Sequence, residues 1–195
     1  MTKTIFSKCY IMLLVSIIWV FGNVLNAQTL KLNPRTFTMT IFGTSSLHDF
    51  QSKVTQASGE LVINSSKQAQ SLTVEIPVKG IKSNEKLMDN KTYAAFNAEK
   101  NPTITFKLTD LGVPEVNGSD IAVTATGNLT MAGVTKKISL KSAGKIVKPG
   151  VYQFKGTVVL KMTDYKMTPP SMLFVKVGDV VTLKYDATFE GPAIQ

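Results

Sequence analysis

Beyond about residue 36, apolar side chains recur at every second position through most of the chain. The rows are Phe37-x-Met39-x-Ile41, Leu72-x-Val74-x-Ile76-x-Val78, Ile104-x-Phe106-x-Leu108, Ile121-x-Val123-x-Ala125-x-Gly127-x-Leu129, Tyr152-x-Phe154-x-Gly156-x-Val158-x-Leu160-x-Met162 and Val181-x-Leu183-x-Tyr185-x-Ala187-x-Phe189. A weaker row runs from Val54 past Gly59 to Leu61-x-Ile63, and another from Ile138-x-Leu140 through Gly144 to Ile146. A period of two predicts β-strands, eight of them here. The intervening positions are Thr, Lys, Glu, Gln and Asn, for example Thr73 and Glu75, or Gln153, Lys155 and Thr157. One face is dry and the other wet, which is the signature of an antiparallel sheet and argues against a doubly wound α/β fold. Ala132-Gly133 and Pro149-Gly150 read as tight hairpin turns, and Asn117-Gly118 turns the chain into the fifth strand.

Two stretches break the alternation. Ser83 to Pro102 is too long for a hairpin and carries Leu87, Met88, Tyr93 and Phe96. Asp89 is the expected N-cap of a short helix over 90–96, with Tyr93 and Phe96 on one face and Pro102 ending the segment. Thr163 to Val177 holds Met167, Pro169-Pro170, Met172 and Phe174. Eight amphipathic strands bury one face by closing into a barrel or by folding into two layers.

The first residues differ in kind. Lys3 and Lys8 precede a mostly apolar run from Tyr10 to Phe21, and no acidic residue occurs before Asp49. This is the layout of a secretory signal, with cleavage expected after Ala27. The apolar run is shorter than the roughly 20 residues of a spanning helix. The remainder, 28–195, shows no linker or internal repeat and reads as one domain. The only cysteine, Cys9, lies in the signal, so the mature chain has no disulfide, thiol nucleophile or cysteine metal site. Loss of 1–27 removes two lysines and no acid, lowering the formal net charge of +9 by two. Arg35 is the only arginine, and no aromatic platform interleaves with the lysines, which argues against nucleic acid. The lysines instead decorate wet strand faces and would favour transient contact with an anionic membrane surface.

An eight-stranded barrel can be filled by side chains or can hold one small ligand. Ala125, Gly127, Gly144, Gly156 and Ala187 on the apolar rows are small and would leave space inside, although glycines also mark bulges and tight bends. The expected lumen lining is Phe37, Met39, Ile41, Val74, Ile76, Ile104, Phe106, Val123, Gly127, Leu129, Phe154, Gly156, Val158, Leu183 and Tyr185. The expected portal is Leu87, Met88, Tyr93, Phe96, Met167, Met172 and Phe174, where methionine adapts to varied apolar shapes. His48 is the only histidine and a candidate head-group contact. Ser45, Ser46, His48 and Asp49 do not make a triad, because neighbours in an extended segment point to opposite sides. No metal-ligand spacing occurs. The expectation is a binding protein, not an enzyme, and one without a cofactor.

Several motifs carry a family resemblance. They are the segments Gly43-Thr44-Ser45-Ser46-Leu47-His48-Asp49-Phe50, Ile76-Pro77-Val78-Lys79-Gly80-Ile81-Lys82-Ser83, Met88-Asp89-x-Lys91-x-Tyr93 and Asn101-Pro102-x-Ile104-x-Phe106. The run from Gly127 to Lys136, Met162-Thr163-Asp164-Tyr165 with Pro169-Pro170, and Val177-Gly178-Asp179 complete them. In this order the chain resembles the YceI-like family of polyisoprenoid-binding proteins from about Phe37 to Phe189, with Phe50 where many relatives have Trp. The resemblance implies a lipocalin-like, eight-stranded antiparallel barrel in the periplasm, or outside the cell, as monomer or homodimer. It implies an isoprenoid lipid or quinone in the lumen and no established catalytic residue. The alternative is a filled barrel acting as a structural or protein-interaction domain of the envelope.

Overall fold

The computed structural model describes residues 27–66, 68–172 and 174–192, excluding the side chain of Met172. All but Ala27 of the expected signal segment therefore lies outside the described residues.

Strands follow in the order β1 (Gln28–Leu32), β2 (Thr38–Ser45), β3 (Phe50–Val54), β4 (Ser58–Ile63), β5 (Ala69–Pro77) and β6 (Ile81–Lys82). Helix α1 (Lys86–Phe96) precedes β7 (Thr103–Leu111), β8 (Glu115–Asn117), β9 (Asp120–Met131), β10 (Val134–Lys148), β11 (Val151–Lys161), β12 (Ser171–Met172) and β13 (Val175–Glu190). Single 3-10 turns stand at Val78–Gly80 and Thr163–Tyr165.

The pairing closes on itself. The circuit runs β1-β4-β5-β7-β9-β10-β11-β13, and β13 returns to β1 through Lys31↔Glu190 and Leu32↔Phe189. Three positions in the wall are occupied by broken strands. β1 and β2 both pair with β13, β3 continues into β4, and β5 continues through the Val78–Gly80 turn into β6. The result is a closed, eight-stranded antiparallel barrel, as the two-residue period predicts. Closure leaves no long edge to pair with another chain.

The turns follow their residues. Ala132 and Gly133 both have positive φ, 50° and 76°, and join β9 to β10 as a two-residue hairpin. Gly150 at φ 78° turns β10 into β11. The helix begins one turn earlier than expected. Glu85 is the N-cap, and Asp89 sits inside the first turn, where its Oδ1 accepts from the backbone N–H and hydroxyl of Ser83 at 2.6 and 2.8 Å. Asp89 thus ties down the chain entering the helix, and negative charge in the first turn suits the helix dipole.

The core gathers at the two ends. At the helical end Val78, Phe96, Leu160, Met162, Tyr165 and Met167 pack together. At the opposite end Leu30, Leu32, Leu61, Ile63, Tyr152 and Phe189 form a second cluster.

Candidate functional site

Between these clusters the barrel is hollow. A cavity of about 940 Å³ runs from α1 to the far end. That is at the upper end of the ~300–1,000 Å³ typical of small-molecule sites. The inward rows form its wall: Phe37, Met39 and Ile41 from the β1–β2 position, Val74 and Ile76 from β5, and Ile104 and Phe106 from β7. Val123 and Leu129 from β9, Phe154 and Val158 from β11, and Leu183 and Tyr185 from β13 complete it. A filled barrel would leave no such space.

Gly127 and Gly156 were expected to open room, and they do not line the cavity. A Cβ on Gly127 would lie 2.5 Å from the Phe106 ring and from the Lys107 carbonyl oxygen. A Cβ on Gly156 would collide with the Tyr185 hydroxyl, and one on Gly144 would lie 2.8 Å from the Phe154 ring. Each glycine makes room for an aromatic ring from a neighbouring strand, in the space its own side chain would take, and those rings line the cavity.

The two ends differ. At the helical end the lining is Met88, Thr92, Ala95, Phe96, Met162, Met167 and Pro170, all buried or half-buried. Met167 is held there by its N–H on the Met162 carbonyl, and Met162 by its N–H on the Asp179 carbonyl. At the other end, the lining residues Ser66, Gln68 and Gln70 of the β4–β5 hairpin and Val113, Pro114 and Val116 beside β8 are themselves exposed, Val113 at 92%. The mouth is here, opposite the helix.

The expected portal therefore divides. Met88, Phe96 and Met167 reach the lumen, but as a plug. Leu87 and Phe174 are exposed on the outside of that end and do not line the cavity. Tyr93 does not line it either: its hydroxyl receives Lys82 Nζ at 2.7 Å and lies 3.1 and 3.0 Å from the Lys79 and Ile81 carbonyls, pinning α1 to the wall. Lys82 is raised above its ordinary pKa chiefly by that hydrogen bond to Tyr93. The side chain of Met172 lies outside the described residues. His48 is exposed in the β2–β3 turn, outside the lumen, with Nδ1 2.9 Å from the Asp49 carbonyl. Ser45 is a turn-former, its hydroxyl donating to the His48 carbonyl at 2.7 Å while receiving the N–H groups of Leu47 and His48.

Comparison with known proteins decides the family. The model of the YceI-like domain matches residues 28–189. This chain belongs to the YceI-like family. Over 74 residues it is 39% identical to UPF0312 proteins of Pseudomonas aeruginosa and Pseudomonas paraeruginosa, a match spanning 35% of this chain and only 36% of theirs. Among solved structures it is similar to BcnA of Burkholderia cenocepacia, with a TM-score of 0.67 at 16% identity over 80% of this chain and 98% of that one. A polyisoprenoid binding domain from Saccharophagus degradans gives 0.68 at 13% identity over 84% and 98%. A mutant Campylobacter jejuni YceI protein with a monobromobimane guest gives 0.59 at 21% over 72% and 84%. These likenesses share the barrel.

The YceI-like lumen of this chain also contains polar residues that the apolar rows conceal. Ser52 lines the cavity and is buried between Phe50 and Val54 on β3. Ser142 lines it on β10, in phase with Ile138, Leu140, Gly144 and Ile146, and its Oγ lies 2.7 Å from the Tyr185 hydroxyl. Burial holds the Tyr185 phenol above its ordinary pKa, partly offset by the Ser142 hydrogen bond, so it stays protonated. The signal for both serines was their parity: each stands on an apolar row where a strand pattern asks for Val or Leu. Among the described residues no cluster of three His, Cys, Asp or Glu is placed to hold a metal ion.

Proposed function

We propose that this protein binds an isoprenoid lipid, either a polyisoprenoid or an isoprenoid quinone, in the barrel lumen and serves as its carrier or store in the periplasm after export. The observation that carries the reading is the apolar cavity of about 940 Å³, plugged by α1 at one end and open at the other. Burying a methylene contributes about 0.8 kcal/mol. One five-carbon unit therefore contributes roughly 3–4 kcal/mol before ordering costs, and a few units outweigh the cost of association. Family membership and the fold shared with a domain described as polyisoprenoid-binding support the same ligand class. The signal-like segment before Ala27 supports export.

Leu140 on β10 and Val158 on β11 both line the cavity. The pair Leu140→Trp and Val158→Trp places two indoles in existing space. Prenol titration followed by native mass spectrometry should show affinity reduced at least about tenfold, a loss of roughly 1.4 kcal/mol or more, with the far-ultraviolet spectrum of the barrel retained. Undiminished binding would remove the ligand from the lumen.

A further inference from the structure

The lumen holds a hydroxyl pair that the fold constructs deliberately and that hydrocarbon alone would leave unsatisfied. Tyr185 on β13, Gly156 on β11 and Ser142 on β10 are paired in one row across three adjacent strands. Because Gly156 has no side chain, the Tyr185 ring lies over it and its hydroxyl reaches Ser142 Oγ, two strands away, at 2.7 Å. The neighbours along this row are apolar, with Val123 paired to Ser142 and Met39 paired to Tyr185, and both line the same cavity. Two hydroxyls carry two protons. One is consumed between them, and the other has no acceptor among the described residues. In a dry tube a donor without an acceptor is costly, and a ligand oxygen that accepts it recovers the loss.

We propose that Ser142 and Tyr185 form a recognition point within the lumen that donates a hydrogen bond to a carbonyl oxygen of the ligand. The inference rests on the lumen being the ligand site and adds which ligands it prefers: those that bring a carbonyl into the barrel, over isoprenoid hydrocarbon of equal length. Discrimination then comes from this pair, since an apolar tube distinguishes one methylene from the next only weakly. Neutral Tyr185 supplies the donor across the physiological range, because burial raises its pKa.

The test compares wild type with the double variant Ser142→Ala, Tyr185→Phe. The ring stays over Gly156 and both members of the hydrogen bond leave together, a change close to neutral for folding. Three probes are titrated into delipidated full-length mature protein: a short-chain prenyl benzoquinone, an oxygen-free isoprenoid of the same chain length, and a fatty-acid amide. Wild type should favour the quinone over the hydrocarbon, and in the double variant that ratio should fall about five- to tenfold, the value of one hydrogen bond. A loss confined to the quinone assigns a quinone ring to the site; a loss shared by the amide assigns carbonyl oxygens generally, and both support the proposal. A ratio unchanged in the variant overturns it while leaving the lipid-binding reading intact. Absence of binding by all three probes to wild type overturns both.

Discussion

The hydroxyl of Tyr165 is buried beside Met162 and Met167 without a hydrogen-bond partner among the described residues. Burial raises its pKa first, and the Asp164 charge adds to that. A buried polar group without a partner costs stability, so Tyr165→Phe should not destabilise the barrel and should raise urea stability by up to about 1 kcal/mol. A loss of stability would reveal a partner for the hydroxyl. The same scale shows how far single residues were legible in the sequence. Alternation and burial share one period, so the apolar rows share one face of each strand. Gly127 and Gly156 suggest open space in the sequence, because a sequence does not show which aromatic ring on a neighbouring strand lies over a glycine. Ser142 interrupts an apolar row between Leu140 and Gly144 with a polar side chain, so only its parity marks it as inward.

The element that plugs the helical end is a small assembly. The Asp179 carboxylate accepts the Thr163 N–H at 2.8 Å and the Thr163 hydroxyl at 2.6 Å, fixing the 3-10 turn that presents Met162 and Met167 to the lumen. Those hydrogen bonds hold the Asp179 carboxyl below its ordinary value of 3.8. A depressed folded-state pKa gives stability that is present above the unfolded value and is lost as pH falls through the folded one. Asp179→Asn should therefore loosen this turn at neutral pH, seen as faster amide exchange of residues 162–167, and the gap from wild type should narrow as pH falls below 3.8 and vanish only below the depressed folded-state value. An equal gap at pH 3 and pH 7 would assign the effect to shape instead of charge. At this scale the helix itself was legible from its break in period, but its start was not. Asp89 resembles an N-cap locally, and only the structure shows Ser83 brought within reach of its side chain. β1 carries little signal of its own, since Gln28–Leu32 offers only Leu30 and Leu32 as inward positions, and pairing with β4 and β13 makes it a strand.

At the scale of the molecule, the closed wall followed from eight alternating rows, whereas the polarity of the tube did not. Methionine and aromatic residues near α1 suggest an entrance, yet Met88, Phe96 and Met167 pack as a plug, and the exposed lining of the β4–β5 and β7–β8 connections forms the mouth. Which end fills depends on long-range packing that no local pattern records. Val113 and Val116 stand exposed on the rim, and under the proposed carrier function they are the side chains that would meet a bilayer. The double change Val113→Asp and Val116→Asp should slow uptake of a prenyl quinone from anionic vesicles several-fold, through repulsion and lost insertion. Affinity for quinone added in detergent should change little. Equal slowing by Leu87→Asp and Phe174→Asp at the helical end would place the entrance there instead.

An isoprenoid lipid held in the lumen should travel with the protein through purification. Organic extraction and mass spectrometry of the protein exported to the periplasm of a membrane-containing host, with native mass spectrometry to count ligands, reads this out. One isoprenoid or isoprenoid quinone per chain is the expected result, absent from the Leu140→Trp, Val158→Trp protein. A stable wild-type protein recovered reproducibly empty would contradict the account.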